Sequence, residues 1–418
     1  MNIPIGLRPF GHRSFRIATT ALVSSFSGNA LYLAAVPFGF IALGGSALEV
    51  GTGAGIATLT QIVFLLVGGA IVDRVTSRTV LVVADVVRAL SLGATALLGF
   101  GGRLEIWHLY VQAAVFGGTA AFSIPAITAI MPTLVPAEIL VQGNVVRALS
   151  RQGSRAIGSL LAGFIVAVSS VPYAFAASAA LLLLGPLLIL RLPRVVAERA
   201  ARTHLASEIG EGLRFIAGVP WLWLTIVGFA LVNTALFAPV LVALPFLVRD
   251  VMLADARMYG AILAASSVGQ LVGGLALASF RPRRAATVMW LAAAASGLAV
   301  AGFGLLPSVG AVVLLATLDG VGFVTFVVVK DSLLQRKVPT PLLGRVASAD
   351  SLGAVALGPA TPIVGALTDL FGPRAIFVGG GVSAIVLSSV LAVLPWIRAV
   401  ELGSAASPPS TARRDELG

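Results

Sequence analysis

Apolar residues in this chain neither alternate nor gather on one side of a helical repeat. They run almost without interruption in blocks of about 20 residues, parted by short polar stretches. A helix apolar around its whole circumference belongs in lipid or in a deep core, and the absence of repeated strand alternation argues against a barrel. Spans are predicted at about Ile17–Leu43, Val50–Val72, Thr79–Gly101, Ile106–Pro132, Val141–Ser169 and Tyr173–Leu190. A second set is predicted at Trp221–Leu247, Met258–Phe280, Ala285–Leu306, Val309–Val329, Val346–Leu370 and Ala375–Ile397. The expected fold is therefore an all-α membrane protein of twelve transmembrane helices in two six-helix bundles, residues 17–190 and 221–397. The longest internal polar stretch, residues 191–220, is the linker between them. Residues 1–16 form a short leading segment, and residues 398–418, rich in Ser and Pro, a disordered tail.

Composition agrees: 58% of residues are hydrophobic, 11% charged, and the mean hydropathy is +1.01. Basic residues are retained on the cytoplasmic side during insertion. With the N-terminus inside, only Arg103, Arg249, Arg257 and Arg374 fall in outer loops, and the remaining cations sit in inner loops and adjoining helix ends. Both termini are thus expected in the cytoplasm, and the net charge of +11 reflects topology and needs no nucleic-acid partner. The basic opening is kept as the lead to the first span, because the apolar run is too long for a signal peptide and lacks a small-residue cleavage site. With no cysteine and three scattered histidines, there is no disulfide, thiolate or metal-site pattern. No nucleophile–base pairing or nucleotide-binding loop points to an enzyme or to a cofactor.

The two halves echo each other. At a constant offset, residues 55–78 lie over residues 260–283, matching Gly55 with Gly260, Gly68 and Gly69 with Gly273 and Gly274, and Arg78 with Arg283. A six-plus-six repeat with a glycine-rich second helix feeding the charged stretch GAIVDRVTSR resembles the major facilitator superfamily of secondary transporters. Within that stretch Gly69, Asp73, Arg74 and Arg78 are similar to the superfamily's loop signature. The segments LVVADVVRAL and LLGRVASADSLGAVALGPATPIVGALTDLFGPR resemble the branch of macrolide, multidrug and siderophore exporters. The resemblance implies gating: Asp73 would latch one closed state against the start of the eleventh helix, and Arg74 and Arg78 would pair with acids or lipid phosphates. A plain topological anchor is the alternative reading of the same residues.

Charges inside spans are more informative, since each costs about 2.5–3.5 kcal/mol at a helix centre on insertion scales. Asp319, flanked by Gly320 and Gly322 in the tenth span, is the candidate proton-coupling carboxylate or counter-charge; the alternative is a structural carboxylate bonded to a neighbouring helix. Arg147, Arg151 and Arg155 recur every fourth residue and share one face of the fifth span, where Arg151 and Arg155 are candidate cavity residues able to attract an anion or to pair with carboxylates as the cavity closes; a compositional bias, since only Lys330 and Lys337 are lysines, is the alternative. Asp85 and Arg88 read as a structural i,i+3 pair. Asn29, Tyr32, Gln61, Asn233 and Gln270 are candidate cavity or substrate contacts, with interhelical hydrogen bonding as the alternative. Gly269 with Gly273, and Ser154 with Gly158, read as close-packing pairs.

The sequence departs from the family where proton coupling is concerned. Asn29 stands where relatives often carry an acid, the fourth-span arginine is missing, and the fifth span lacks a Gly-Pro although Gly358 and Pro359 occur in the eleventh. The leading expectation is proton-driven export of a small amphipathic compound by a monomer, its partners being that substrate, protons and the bilayer. A metabolite importer or facilitator, and a non-transporting membrane sensor, stay open.

Overall fold

The computed structural model describes residues 9–72, 76–130, 134–192, 214–277, 282 and 284–400. Six helices form the first half: α1 Arg13–Ala42, α2 Ala47–Val72, α3 Ser77–Phe100, α4 Ile106–Ile130, α5 Leu140–Val168 and α6 Val171–Ile189. The second half starts with α7, continuous over Pro220–Val251, then α8 Ala256–Leu277, α9 Ala285–Leu305 and α10 Val309–Lys337. The eleventh crossing, α11, comprises Thr340–Ala356, the 3₁₀ turn Gly358–Ala360 and residues 361–371; after a break at Gly372, residues 373–393 form α12. Gly372 has φ 79° and ψ 159°, a backbone conformation open essentially to glycine alone.

Among the described residues ten helices are long and apolar enough to cross a membrane. One of these, Leu342–Val393, holds both α11 and α12, and α5 falls outside the ten because residues 142–155 carry three arginines, two glutamines and an asparagine. Counting those two crossings separately and adding α5 gives the twelve helices expected.

Helix α1 begins four residues and α11 six residues before the predicted starts, and two helix ends differ for definite physical reasons. The helix α7 runs on to Val251 instead of ending at Leu247, passing through two π-helical stretches, Pro239–Ala243 and Leu247–Val251. Pro239 and Pro245 lack an N–H for the ordinary ladder, and a widened turn absorbs the lost bond. The helix α10 runs past Val329 to Lys337 because the charge that marked its end, Lys330, is 3% exposed and paired with Asp350 on α11. A cation satisfied inside the bundle does not end a helix.

Within the first bundle α1 packs on α5 and α6, α2 on α4, and α3 on α4 and α6. Within the second, α8 packs on α10, α10 on α9, and α12 on α9 and α7. Two seams join the bundles: α2 against α11, and α5 against α8.

The apolar core is distributed unevenly along the membrane normal. One continuous cluster takes residues from both bundles, including Val50, Phe175, Phe246, Val248, Tyr259 and Phe303. Toward the face where α1 begins, the terminal face, this cluster continues only in the second bundle, through Ala285, Ile397 and Val400, and two further clusters each stay within one bundle. Phe15, Leu81 and Ile130 belong to one, entirely in the first bundle; Leu222, Leu334 and Val346 belong to the other, entirely in the second. The bundles are thus fused at the far face and parted at the terminal face.

Candidate functional site between the bundles

The two seams fix which face of each helix looks into the parting. On α5, Ser154 donates to the Val23 carbonyl of α1 at 3.3 Å, and a Cβ at Gly158 would meet Ala30 and the Ser27 carbonyl. On its other packed side Gln152 donates to the Ser267 carbonyl of α8 at 3.4 Å, and Cβ atoms at Gly163 and Gly260 would run into the Ala256 and Ser159 carbonyls. Ile157, Leu160 and Phe164 occupy the outward, lipid-side arc and are exposed. The remaining arc, between the α1 side and the α8 side, carries Arg151 and Arg155, both exposed. Arg155 keeps accessible surface although α1 and α8 pack on either side of its face of α5, as in a cleft between the two helices. Two turns further along the same face Ala162 is 0% exposed, so the cleft closes there.

On α8, Gly260 and Ser267 face α5, and Gly269 and Gly273 face Thr317, Val321 and Val324 of α10. Between these two packed sides, opposite the exposed Val268 and Val272, lie Ser266 and Gln270. Asp319 of α10 is partly exposed, and its carboxylate lies within hydrogen-bonding reach of the Ser266 and Ser296 hydroxyls. The Ser296 hydroxyl also lies 3.1 Å from the Asp319 carbonyl. Gln152 pairs with the level of Ser267, so Asp319, reached through Ser266, stands within about one helical turn of the Arg151–Arg155 stretch along the membrane normal.

The structure treats the other sequence candidates differently. Asn29 is partly exposed on the side of α1 away from α6, its amide donating to the Ser25 carbonyl at 2.8 Å. Gln61 lies on α2 between the sides that face α4 and α11. Asn233 borders a small void with Phe229, Ser296 and Phe323. Tyr32 is 2% exposed and stacked on Phe116 at 3.7 Å, inside the first bundle and away from the cleft. Arg147 is bonded to Thr128 at 3.5 Å. Gly69 falls within α2, and Arg78 donates to the Leu190 carbonyl at 2.6 Å, tying α3 to the end of α6. Asp73 and Arg74 lie outside the described residues.

Several interactions were not legible as a site in the sequence. Lys330 is paired with Asp350 and lies 4.1 Å from the Phe229 ring centroid, joining α10, α11 and α7. Asp85 and Arg88 are 3.4 Å apart and belong to a wider network: Ser25 donates to Asp85, and Arg88 donates to Thr119 at 2.6 Å and to Ser123 at 3.3 Å. At the far face Asp369 of α11 accepts from the Ala47 and Leu48 N–H groups, both at 2.9 Å, capping α2 across the bundle boundary. A cavity of about 450 Å³ beside this cap is bordered by Ser46, Arg249, Asp250 and Asp369. An aspartate near a helix end gives no sequence sign that the N-terminus it caps belongs to a helix more than 300 residues away.

Two six-helix bundles, joined at one face around a cleft lined from both sides, define a secondary-transporter architecture. The chain belongs to the Major Facilitator Superfamily, whose sequence profile matches residues 18–353. It is 28% identical to the multidrug efflux pump Tap of Mycolicibacterium fortuitum, over 92% of this chain and 96% of that protein. It is 26% identical to the enterobactin exporter EntS of Escherichia coli, over 86% of this chain and 89% of that protein. Among solved structures it resembles the nucleoside transporter NupG (TM-score 0.71, 14% identity, 91% of this chain and 98% of that one). It also resembles a bacterial homologue of the human lysosomal transporter Spinster in an inward-facing, unoccupied conformation (TM-score 0.70, 14% identity, 98% and 100%).

Proposed function

We propose that this protein exports a small amphipathic compound, a drug or siderophore-like molecule, from a bacterial cytoplasm by alternating access driven by proton entry. The observation that carries the reading is the placement of partly or fully exposed polar and charged side chains, Arg151 and Arg155 on one bundle and Gln270 and Asp319 on the other, on the faces between the seams, with the apolar core shared by both bundles lying toward the far face. The efflux activities named for the relatives Tap and EntS support the direction and the substrate class. In this reading the protein works as a monomer in the inner membrane, with residues 1–16, the linker 191–220 and the tail 398–418 in the cytoplasm. The parted face is then cytoplasmic, and Gly69, Asp73, Arg74 and Arg78 stabilise the opposite, outward-open state.

Asp319 is the proton carrier. It is a carboxylate in the cleft wall with the Ser266 and Ser296 hydroxyls in reach and, among the described residues, no cation paired with it, so it can exchange a proton without breaking an ion pair. One proton falling through about 100 mV releases roughly 2.3 kcal/mol, and each pH unit adds about 1.4 kcal/mol. With one pH unit the total supports a substrate ratio on the order of several hundred.

The test is a growth-inhibition panel of antibiotics, dyes and siderophores in a pump-deficient bacterium expressing the protein or Asp319→Asn, with and without a protonophore. Resistance conferred by the parent alone and abolished by the protonophore is the expected result. Membrane-inserted protein that shifts no compound would overturn export. Resistance indifferent to the protonophore would overturn proton coupling.

A further inference from the structure

We propose that the cleft holds a dedicated anion site formed by Arg151 and Arg155, and that the cargo is an amphipathic compound bearing an acidic group. The inference deepens the export reading and rests on it only for the word cargo; the site is argued from geometry.

Both guanidinium groups lie on the arc of α5 between its α1 side and its α8 side, so they face the cleft and not lipid. Among the described residues neither has a hydrogen bond, an ion pair or an aromatic ring over it. Their own interaction is repulsive. Other charges buried in the bundles are matched: Arg88 with Asp85, and Lys330 with Asp350. The carboxylate nearest in level, Asp319, lies on the second bundle beside the Ser266 and Ser296 hydroxyls and makes no ion pair with either arginine. Two cations one turn apart, left uncompensated in an enclosed cleft, form a standing positive potential that a carboxylate, sulfonate or phenolate would neutralise. A planar guanidinium offers such a group paired donors in fixed geometry.

The rest of the wall sets the shape of the ligand. Leu33 is 52% exposed midway along α1, on the side away from α6, and Phe323 stands one turn from Asp319 on the same face of α10. An acidic head on the arginines therefore leaves an apolar body against these side chains, with Gln270 available to a polar substituent. This arrangement selects against permanent cations, which meet two like charges on the first bundle.

The experiment is fluorescence anisotropy of carboxyfluorescein, and separately of rhodamine 6G, titrated with the purified full-length protein in detergent, comparing wild type, Arg155→Gln, Arg151→Gln and Arg155→Lys. Wild type should bind the anionic dye, weaken as salt rises, and bind the cationic dye little. Each glutamine variant should lose about tenfold or more in affinity, and the lysine variant should retain part of it. Equal binding of the anionic dye by Arg155→Gln, preference for the cation, or no binding of the anion by wild type would overturn the anion site. Energised inside-out vesicles then separate the two ideas: binding without accumulation overturns export and leaves the anion site standing. Accumulation of the cation but not the anion preserves export and overturns the anion site.

Discussion

The two seams between the bundles are built from pseudo-equivalent helices, α2 against α11 and α8 against α5, yet they close by different means. In the α5–α8 seam backbone lies against backbone: Gly163 is seated on the Ala256 carbonyl and Gly260 on the Ser159 carbonyl. The α2–α11 seam has the same close approaches, at Gly51 against Thr361 and Gly365 against Ala47, but where the α5–α8 seam has one long side-chain bond, from Gln152 to the Ser267 carbonyl at 3.4 Å, it has two shorter polar links. Thr361 donates to the Gly51 carbonyl at 2.9 Å, and Asp369 caps the N-terminus of α2. The sequence echo between Gly55 and Gly260 places both glycines at a seam, Gly55 against Pro362 and Gly260 against α5. The helices they meet differ most: α11 is interrupted by the turn Gly358–Ala360, whereas α5 is unbroken and carries the arginines. The repeat thus preserves the hinge surfaces, and the divergence between α5 and α11 is where a polar substrate would find its selectivity.

The comparison is broken most strongly by filling a seam. Gly260→Leu places a side chain into the Ser159 carbonyl, and overpacking of this kind costs about 1–3 kcal/mol or more. Transport should be abolished and the melting temperature of the purified protein lowered, which a thermal unfolding curve beside a flux assay would detect; an active, equally stable variant would refute the packing.

Next in size is Asp319→Asn, expected to lower proton-driven flux by about tenfold or more, the scale of losing a proton-transfer group. Stability should stay close to wild type, because the amide matches the carboxylate in size and the Ser296 hydroxyl keeps its bond to the backbone carbonyl of residue 319. Counterflow exchange of labelled substrate, which needs no net proton movement, should survive in that variant.

Smaller is Asp369→Ala, which frees two N–H groups at the start of α2 and weakens only the α2–α11 seam, by roughly 0.5–2 kcal/mol. The far face should open more often. The protein has no native cysteine, so a single Ile41→Cys reporter on the far-face cavity is labelled selectively by a membrane-impermeant maleimide. Labelling should be several-fold faster with Asp369→Ala, and an unchanged rate would remove Asp369 from the gate. The smallest effect belongs to Thr361→Val, which loses one hydrogen bond of about 1 kcal/mol and should shift the same labelling rate by less.

Much of this architecture was written locally. Uninterrupted apolar blocks set the number of crossings, because a backbone in lipid must satisfy its own hydrogen bonds and needs a fixed length to do so. The every-fourth spacing of Arg147, Arg151 and Arg155 put them on one face, since helical geometry alone decides that. What spacing could not decide is which neighbour that face meets. Asn29, Gln61 and Gln270 look alike in sequence to Tyr32, polar residues in apolar runs, yet Tyr32 is stacked on Phe116 inside one bundle while Gln270 borders the cleft. Lys330 looked like a boundary charge until Asp350, twenty residues further on, proved to neutralise it.

By itself, then, the sequence determined an all-helical membrane protein with twelve crossings, an internal repeat and a short roster of buried charges, all properties of a residue and its near neighbours. Only the tertiary structure decided that Arg151 and Arg155 face a cleft with no partner among the described residues, that Asp319 has the Ser266 and Ser296 hydroxyls in reach, and that Asp369 caps α2. Pairing energy depends on the distance between groups far apart in the chain, and helix packing alone sets that distance.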